Sequence, residues 1–292
     1  MALSPFSPAV FRSLVVLVTG VAVACSTAPD LPKRTEDFAE VLDVGGVLRS
    51  YQVHLPAGYD DGDPRPLLIA LHGSGEGASG MRQNTGLDAT ADAYGFVVAY
   101  PDGLDRGWSR EREDVRFIDA LIDRLDAYLV LDLDRVYVTG FSAGGMMGHI
   151  LACGLTPRLA GAVLVAATLP SDVARPCRAS FLGPLSVMVV LGTGDPLVPF
   201  EGDSVEGAGA LLSAAETMRV WTGRDRCDPT PTVTVVHTDP TWGIVTRRET
   251  YPGCRSGIDV ELYAMEGAGH FWPAPVFPVN DVLATFLLRH RR

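Results

Sequence analysis

Val136-Tyr137-Val138-Thr139, then Gly140-Phe141-Ser142-Ala143-Gly144, then Gly145-Met146-Met147 and a helical pattern running to Leu155: this stretch decides the fold. A run of β-forming residues meets a G-x-S-x-G turn and passes directly into a helix. In that setting the turn lifts the Ser142 side chain out at the carboxyl end of its strand. A glycine on either side removes the Cβ atoms that would collide there. The motif alone is weak in a chain with 31 glycines, and its place between strand and helix is what gives it weight. A glycine-rich turn carrying an inert serine is the plain alternative.

Outward from this turn the same alternation continues. Leu67–Leu71, Phe96–Tyr100, Ala162–Ala166, Val187–Leu191 and Val260–Met265 read as short, continuously apolar strands. Arg49–Leu55 reads as a further strand, and Val233–His237 with Ile244–Tyr251 as a hairpin arm. Gly80–Tyr94, Val115–Leu129, Gly145–Leu155, Leu211–Trp221 and Val279–Arg289 carry helical periodicity. Strands alternating with helices predict an α/β fold with a mostly parallel central sheet and helices on both faces. No repeat or linker interrupts it, so residues 42–292 are expected to form one catalytic domain.

A serine hydroxyl needs a base and, behind the base, an acid. Of the six histidines, four follow Ser142. His149 lies on the helix behind the turn, His237 within a strand and His290 in a basic tail. His270, in Gly267-Ala268-Gly269-His270-Phe271-Trp272-Pro273, directly follows a strand, which brings it to the same sheet edge as Ser142. Asp195, in Gly192-Thr193-Gly194-Asp195-Pro196, follows the strand Val187–Leu191 and is expected to fix the histidine tautomer; an Asp-Pro turn is the alternative. The oxyanion donors are expected to be the N–H groups of Ala143 and of Ser74, in His72-Gly73-Ser74-Gly75, with His72 itself structural. Trp108, Phe141, Met146 and Trp272 are candidates for lining the substrate pocket, with core packing as the alternative for each.

Composition narrows the class. Apolar residues make up 47% of the 292, enough for a full core, and the formal net charge of −11 argues against a nucleic-acid partner. At the N-terminus, Arg12 precedes an eleven-residue apolar run, Leu14 to Ala24, too short to span a bilayer and suited to a signal peptide. It ends Ala22-Val23-Ala24-Cys25, which resembles a lipobox. The expectation is a leader over 1–24, lipidation at Cys25 and a polar tether over 25–41, making a cell-surface or periplasmic lipoprotein; cleavage with full secretion is the alternative. Membrane contact would then come only through the lipid anchor. Export permits disulfides. Four cysteines remain, which allow three pairings, and their loop positions suggest Cys153 with Cys177 and Cys227 with Cys254. None has zinc-like spacing, so neither metal nor cofactor is expected.

The stretches Leu71-His72-Gly73, Tyr100-Pro101-Asp102-Gly103, Gly107-Trp108, Tyr137 to Met147, Gly192-Thr193-Gly194-Asp195 and Gly269-His270-Phe271-Trp272-Pro273 resemble the poly(3-hydroxybutyrate) depolymerase and feruloyl-esterase group of secreted α/β-hydrolases. The resemblance runs from about residue 48 onward. It implies the α/β-hydrolase fold, the same Ser142, Asp195 and His270 roles, and pairing of Cys227 with Cys254. Two departures stand out: Leu191-Gly192 where the family often has His before its Gly-Thr-x-Asp turn, and a short charged Ser109–Glu113 in place of a longer insertion. The resemblance implies a serine esterase of feruloyl or acetyl carbohydrate esters, with a small or oligomeric ester as its partner. Esters of short hydroxyalkanoate oligomers are the second choice, and crystalline polyester is not expected. From a different class, the chain would be a surface lipoprotein that keeps the fold only for binding. A monomer or weak dimer is expected.

Overall fold

The computed structural model describes Met1 and residues 34–60, 62–109 and 112–292. The leader, Cys25 and most of the tether lie outside the described residues. In chain order the strands are β1 (Phe38–Val44), β2 (Val47–His54), β3 (Arg65–Leu71), β4 (Val97–Pro101), β5 (Leu131–Phe141), β6 (Gly161–Val165), β7 (Ser186–Gly192), the short ribbon β8 (Asp203–Val205) and β9 (Gly209–Leu211), β10 (Thr232–Asp239), β11 (Ile244–Tyr251) and β12 (Val260–Glu266). The helices are α1 (Ala78–Thr85), α2 (Leu87–Tyr94), α3 (Arg112–Tyr128), α4 (Ala143–Gly154), α5 (Ser171–Arg178), α6 (Ala214–Asp225) and α7 (Val279–Leu288).

Among the described residues the main sheet has ten strands in the order β1-β2-β4-β3-β5-β6-β7-β12-β11-β10. The six from β4 to β12 run parallel, and antiparallel pairs close both edges. Parallel strands are covered on both faces, which is why β3, β6 and β7 read as unbroken apolar runs. Leu68 and Ala70 face Met81, Leu87 and Ala91 of α1 and α2 and share a core with Leu283 and Phe286 of α7. Side chains alternate along a strand, so Leu67 and Ile69 turn to the other layer, where α3 and α4 pack on β5. On α3 the buried Phe117, Ile118, Leu121, Ile122 and Leu125 recur at helical spacing.

Three elements differ from the sequence expectations. The helix expected over Gly80–Tyr94 is two helices, because Gly86 takes a left-handed φ of +63° and its N–H caps α1 at Arg82. The folded body begins ahead of residue 42: β1 starts at Phe38, whose register with β2 runs Phe38 to Val53 through Val44 to Val47. As an edge strand with every second residue exposed, it carries little apolar signal. Helix α5 carries no helical signal in the sequence, since it is short, charged and holds Pro176.

Both expected disulfides form, Cys153 with Cys177 and Cys227 with Cys254. The first staples α5 to α4. The second joins the end of α6 to the loop after β11. Disulfides of this kind persist in oxidising compartments. No helix among the described residues is long and apolar enough to cross a membrane.

Candidate active site

Ser142 sits between β5 and α4 with φ 54° and ψ −121°, a strained conformation for a residue with a side chain. Its N–H donates to Val165 O and its carbonyl accepts from Met146 N–H, so the strain is held from both sides. A Cβ on Gly140 would stand 2.3 Å from Gly144 O, and one on Gly144 would stand 2.2 Å from Leu71 O. The flanking glycines therefore let the turn close on itself and let α4 approach the end of β3.

The turn that carries Asp195 follows β7. One oxygen of Asp195 accepts the N–H groups of Leu197 and Val198, each at 2.8 Å, and the other accepts from His270 Nδ1 at 2.7 Å. Burial, which leaves Asp195 only 6% exposed, would push its carboxyl pKa up. The bonds from His270, Val198 and Leu197 outweigh that and hold it below the ordinary carboxylate value. The two loops are zipped together by Gly194 N–H to Ala268 O and Gly267 N–H to the Thr193 hydroxyl. A Cβ on Gly192 would come within 2.3 Å of Ala268 O, so only glycine lets the two loops approach here.

His270 packs against Phe141, the residue before Ser142, with the ring centroids 4.9 Å apart. No hydrogen bond joins the Ser142 hydroxyl to His270 among the described residues. Ala143 opens α4, where free N–H groups point outward. Ser74 is exposed at the tip of a turn closed by Glu76 N–H to Gly73 O.

Beneath that turn His72 is fully buried, and burial lowers its pKa, so the ring stays neutral. Its Nε2 accepts from Gly103 N–H at 2.8 Å, so Nδ1 carries the proton and donates to Gly73 O at 2.7 Å. Trp108 packs against this ring, tilted by 36° with centroids 4.8 Å apart, and donates its indole N–H to His72 O. Gly75 N–H donates to Arg106 O, so the two loops are joined at several points.

Of the other pocket candidates, Met146 lies in a small cluster with Ala167, Val198 and Leu211, next to the acid's turn. Trp272 departs from the expectation. It is 6% exposed in the core, and its indole N–H donates to Asn280, whose amide in turn donates to Thr85 O. Adjacency to His270 in sequence did not carry it to the pocket, because its side chain turns under α7. Away from this site, Asp37, His54 and Asp88 come close enough to suggest a cation site, but Arg82 donates to both carboxylates and already supplies the positive charge.

The model of the family described as esterase PHB depolymerase matches residues 49–204, more than half of the chain. The chain belongs to this family. The match takes in Ser142 and Asp195 and ends before His270. The chain is 34% identical over 266 residues to NocK of Nocardia uniformis subsp. tsuyamanensis, a protein designated an esterase, covering 84% of this chain and 76% of NocK. It is 31% identical over 161 residues to feruloyl esterase C of Emericella nidulans, covering 53% of this chain and 57% of that one. The feruloyl esterase module of Clostridium thermocellum superposes with a TM-score of 0.63 over 86% of this chain and 88% of the module, and acetyl xylan esterase of Aspergillus awamori with 0.60 over 82% and 93%. At 14% and 16% identity these two establish the α/β-hydrolase fold. As an esterase PHB depolymerase family member the chain is a serine hydrolase acting on carboxylic esters.

Proposed function

We propose that this chain is an exported carbohydrate esterase, of feruloyl or acetyl type, working through Ser142, His270 and Asp195. One observation carries the reading: a buried carboxylate holds His270 by Nδ1, Nε2 has no partner among the described residues, and the ring packs on Phe141, the residue before Ser142 in its strained turn. His270 Nε2 takes the hydroxyl proton as Ser142 Oγ attacks the ester carbonyl. The oxyanion rests on the Ala143 and Ser74 N–H groups. The C–O bond to the alcohol breaks as His270 returns the proton to it, and water clears the acyl-enzyme by the same steps. The likeness to feruloyl esterase C and NocK supports the ester class. Export is supported by the two disulfides, and anchoring at Cys25 is part of the same proposal, tested by the intact mass of the N-terminal peptide from membranes.

The test is turnover of methyl ferulate, an acetylated xylo-oligosaccharide and a hydroxybutyrate trimer, beside Ser142→Ala. The variant should fall by at least ~10³-fold on whichever ester is used. Turnover of the trimer alone moves the reading to hydroxyalkanoate oligomers. No turnover, together with no labelling by a fluorophosphonate probe, refutes the esterase and leaves a binding module.

A further inference from the structure

A groove of about 470 Å³ runs between α5 and α6, within the ~300–1,000 Å³ range of ligand sites. Arg175 and Arg178 line it from α5, and Arg219 and Glu216 from α6. Among the described residues none of the three arginines makes an ion pair. Several other guanidinium groups are matched, as where Arg158 bridges Asp119 and Asp123, or Arg289 bridges Asp259 and Glu261, while isolated arginines such as Arg65 and Arg116 are not matched among the described residues; what sets this groove apart is that three unmatched guanidinium groups share it. Glu216 is the one acidic side chain lining the groove. Its carboxylate is held by Ser213 in the capping box of α6 while also feeling Arg219, so two positive charges remain in excess. On a chain of net charge −11 this is a local reversal of sign. Three like charges sharing one groove repel one another, and an anion between them relieves that repulsion.

One end of the groove is linked by packing to the residues that surround Ser142 and Asp195. Its Ser171 and Leu212 end adjoins the Pro170–Leu211 bridge, and Leu212 N–H donates to Leu169 O. Leu211 packs against Met146, one turn beyond Ser142, and against Val198, whose N–H holds Asp195. Both walls are fixed. The Cys153–Cys177 disulfide ties α5 to α4, and the capping box sets the start of α6. A planar guanidinium fork matches a carboxylate through two parallel hydrogen bonds. Three such forks along one groove suit a chain that repeats its carboxylates better than a single small anion.

We propose that the α5–α6 groove binds a carboxylated saccharide chain, an oligouronate, through Arg175, Arg178 and Arg219, and so presents the ester of an acidic polysaccharide to Ser142. This rests on the carbohydrate-esterase reading for its relevance, but the binding is measurable without it. Titration calorimetry on the full chain carrying Ser142→Ala, with trigalacturonate, xylotriose and inorganic phosphate in separate runs, tests it. Trigalacturonate should bind, should weaken as salt rises, and should lose at least about tenfold in affinity when Arg175→Gln, Arg178→Gln and Arg219→Gln are combined. Each single substitution should lose part of that, and an unchanged melting temperature shows that the variants fold. No saturable binding of trigalacturonate, equal affinity in the triple variant, equal binding of xylotriose, or phosphate binding as tight as trigalacturonate each overturns the proposal. Uronate binding in a chain whose wild type turns over no ester would sustain the groove and overturn the esterase reading, so the two failures are told apart.

Discussion

Replacing Asp195 by Asn separates the acid's geometry from its charge, and the structure decides how the amide will sit. Oδ1 of Asp195 accepts two backbone N–H groups, from Leu197 and the buried Val198, while Oδ2 faces His270 Nδ1. Turning the new NH2 group toward the two amides would set donors against donors and leave both N–H groups unpaired, at about 1–3 kcal/mol each. Turning it toward His270 keeps both bonds. The second orientation is favoured by at least about 2 kcal/mol, or about 30-fold. It forces Nδ1 of His270 to accept, which moves the ring proton to Nε2. That nitrogen can then no longer take a proton from Ser142. The expected result is a fall in kcat of roughly 10³–10⁴-fold near neutral pH, with the melting temperature little changed, measured on 4-nitrophenyl acetate and by thermal unfolding. A kcat within tenfold of wild type would refute this tautomer argument and the assignment of Asp195. The carboxylate also bears on acid stability. Its folded pKa is lowered, so its contribution is fully present above the ordinary value of 3.8 and is lost as pH falls through the lowered one.

Two further measurements probe what holds the site. The Cys153–Cys177 bridge closes a loop of sequence separation 24, so the Cys153→Ser, Cys177→Ser double variant should lose about 3.5 kcal/mol and roughly 7–14 °C in Tm; a Tm within about 2 °C of wild type would show that the bridge constrains little. His149 is fully buried, and burial drives its pKa down from 6.5 to about 4, against the smaller opposing effect of its bond to Ala167 O. The unfolded chain therefore binds a proton between those values that the folded chain does not. Stability is complete above about pH 6.5 and falls by roughly 2–3 kcal/mol by pH 4.5. Urea unfolding of His149→Gln at pH 7 and pH 4.5 should show a drop smaller by that amount, and an equal drop in both proteins would contradict it.

The parts of the molecule legible in the sequence are those where one segment carries its own signal. The β5–α4 turn is read from a buried strand, two glycines and a helix in immediate succession. Asp195 and His270 are read from being the first acid and the first histidine after their strands. The rest depends on partners far away in the chain. Edge strand β1 shows its pairing only opposite β2. Trp272 shows its burial only opposite Asn280 and Thr85. The basic groove joins Arg175 and Arg178 to Arg219, some forty positions apart, across two helices whose packing no local pattern announces. Net charge conceals it as well, because a total of −11 averages over a surface that changes sign locally.

Three histidines at or near the site show how partners, more than position, decide which one can act as a base. Each ring has its tautomer set by what surrounds it. In His72, Nε2 accepts from Gly103 N–H and Nδ1 donates to Gly73 O, so both nitrogens are engaged and the residue can only brace the loop. In His149, Nδ1 accepts from the Trp221 indole and Nε2 donates to Ala167 O; again nothing is left, and full burial keeps the ring neutral through the physiological range. His270 alone of the three has one nitrogen fixed by a carboxylate and the other without a partner among the described residues. The carboxylate matters twice: it keeps the proton on Nδ1 so that Nε2 presents a lone pair, and it stabilises the imidazolium once that lone pair is used. Either buried histidine would lose a hydrogen bond and gain a charge in a dry interior if it were protonated, which is the reverse of what a base requires. On the proposed mechanism the same residue type thus gives two struts and one base, and the difference lies in a single ring nitrogen unengaged among the described residues.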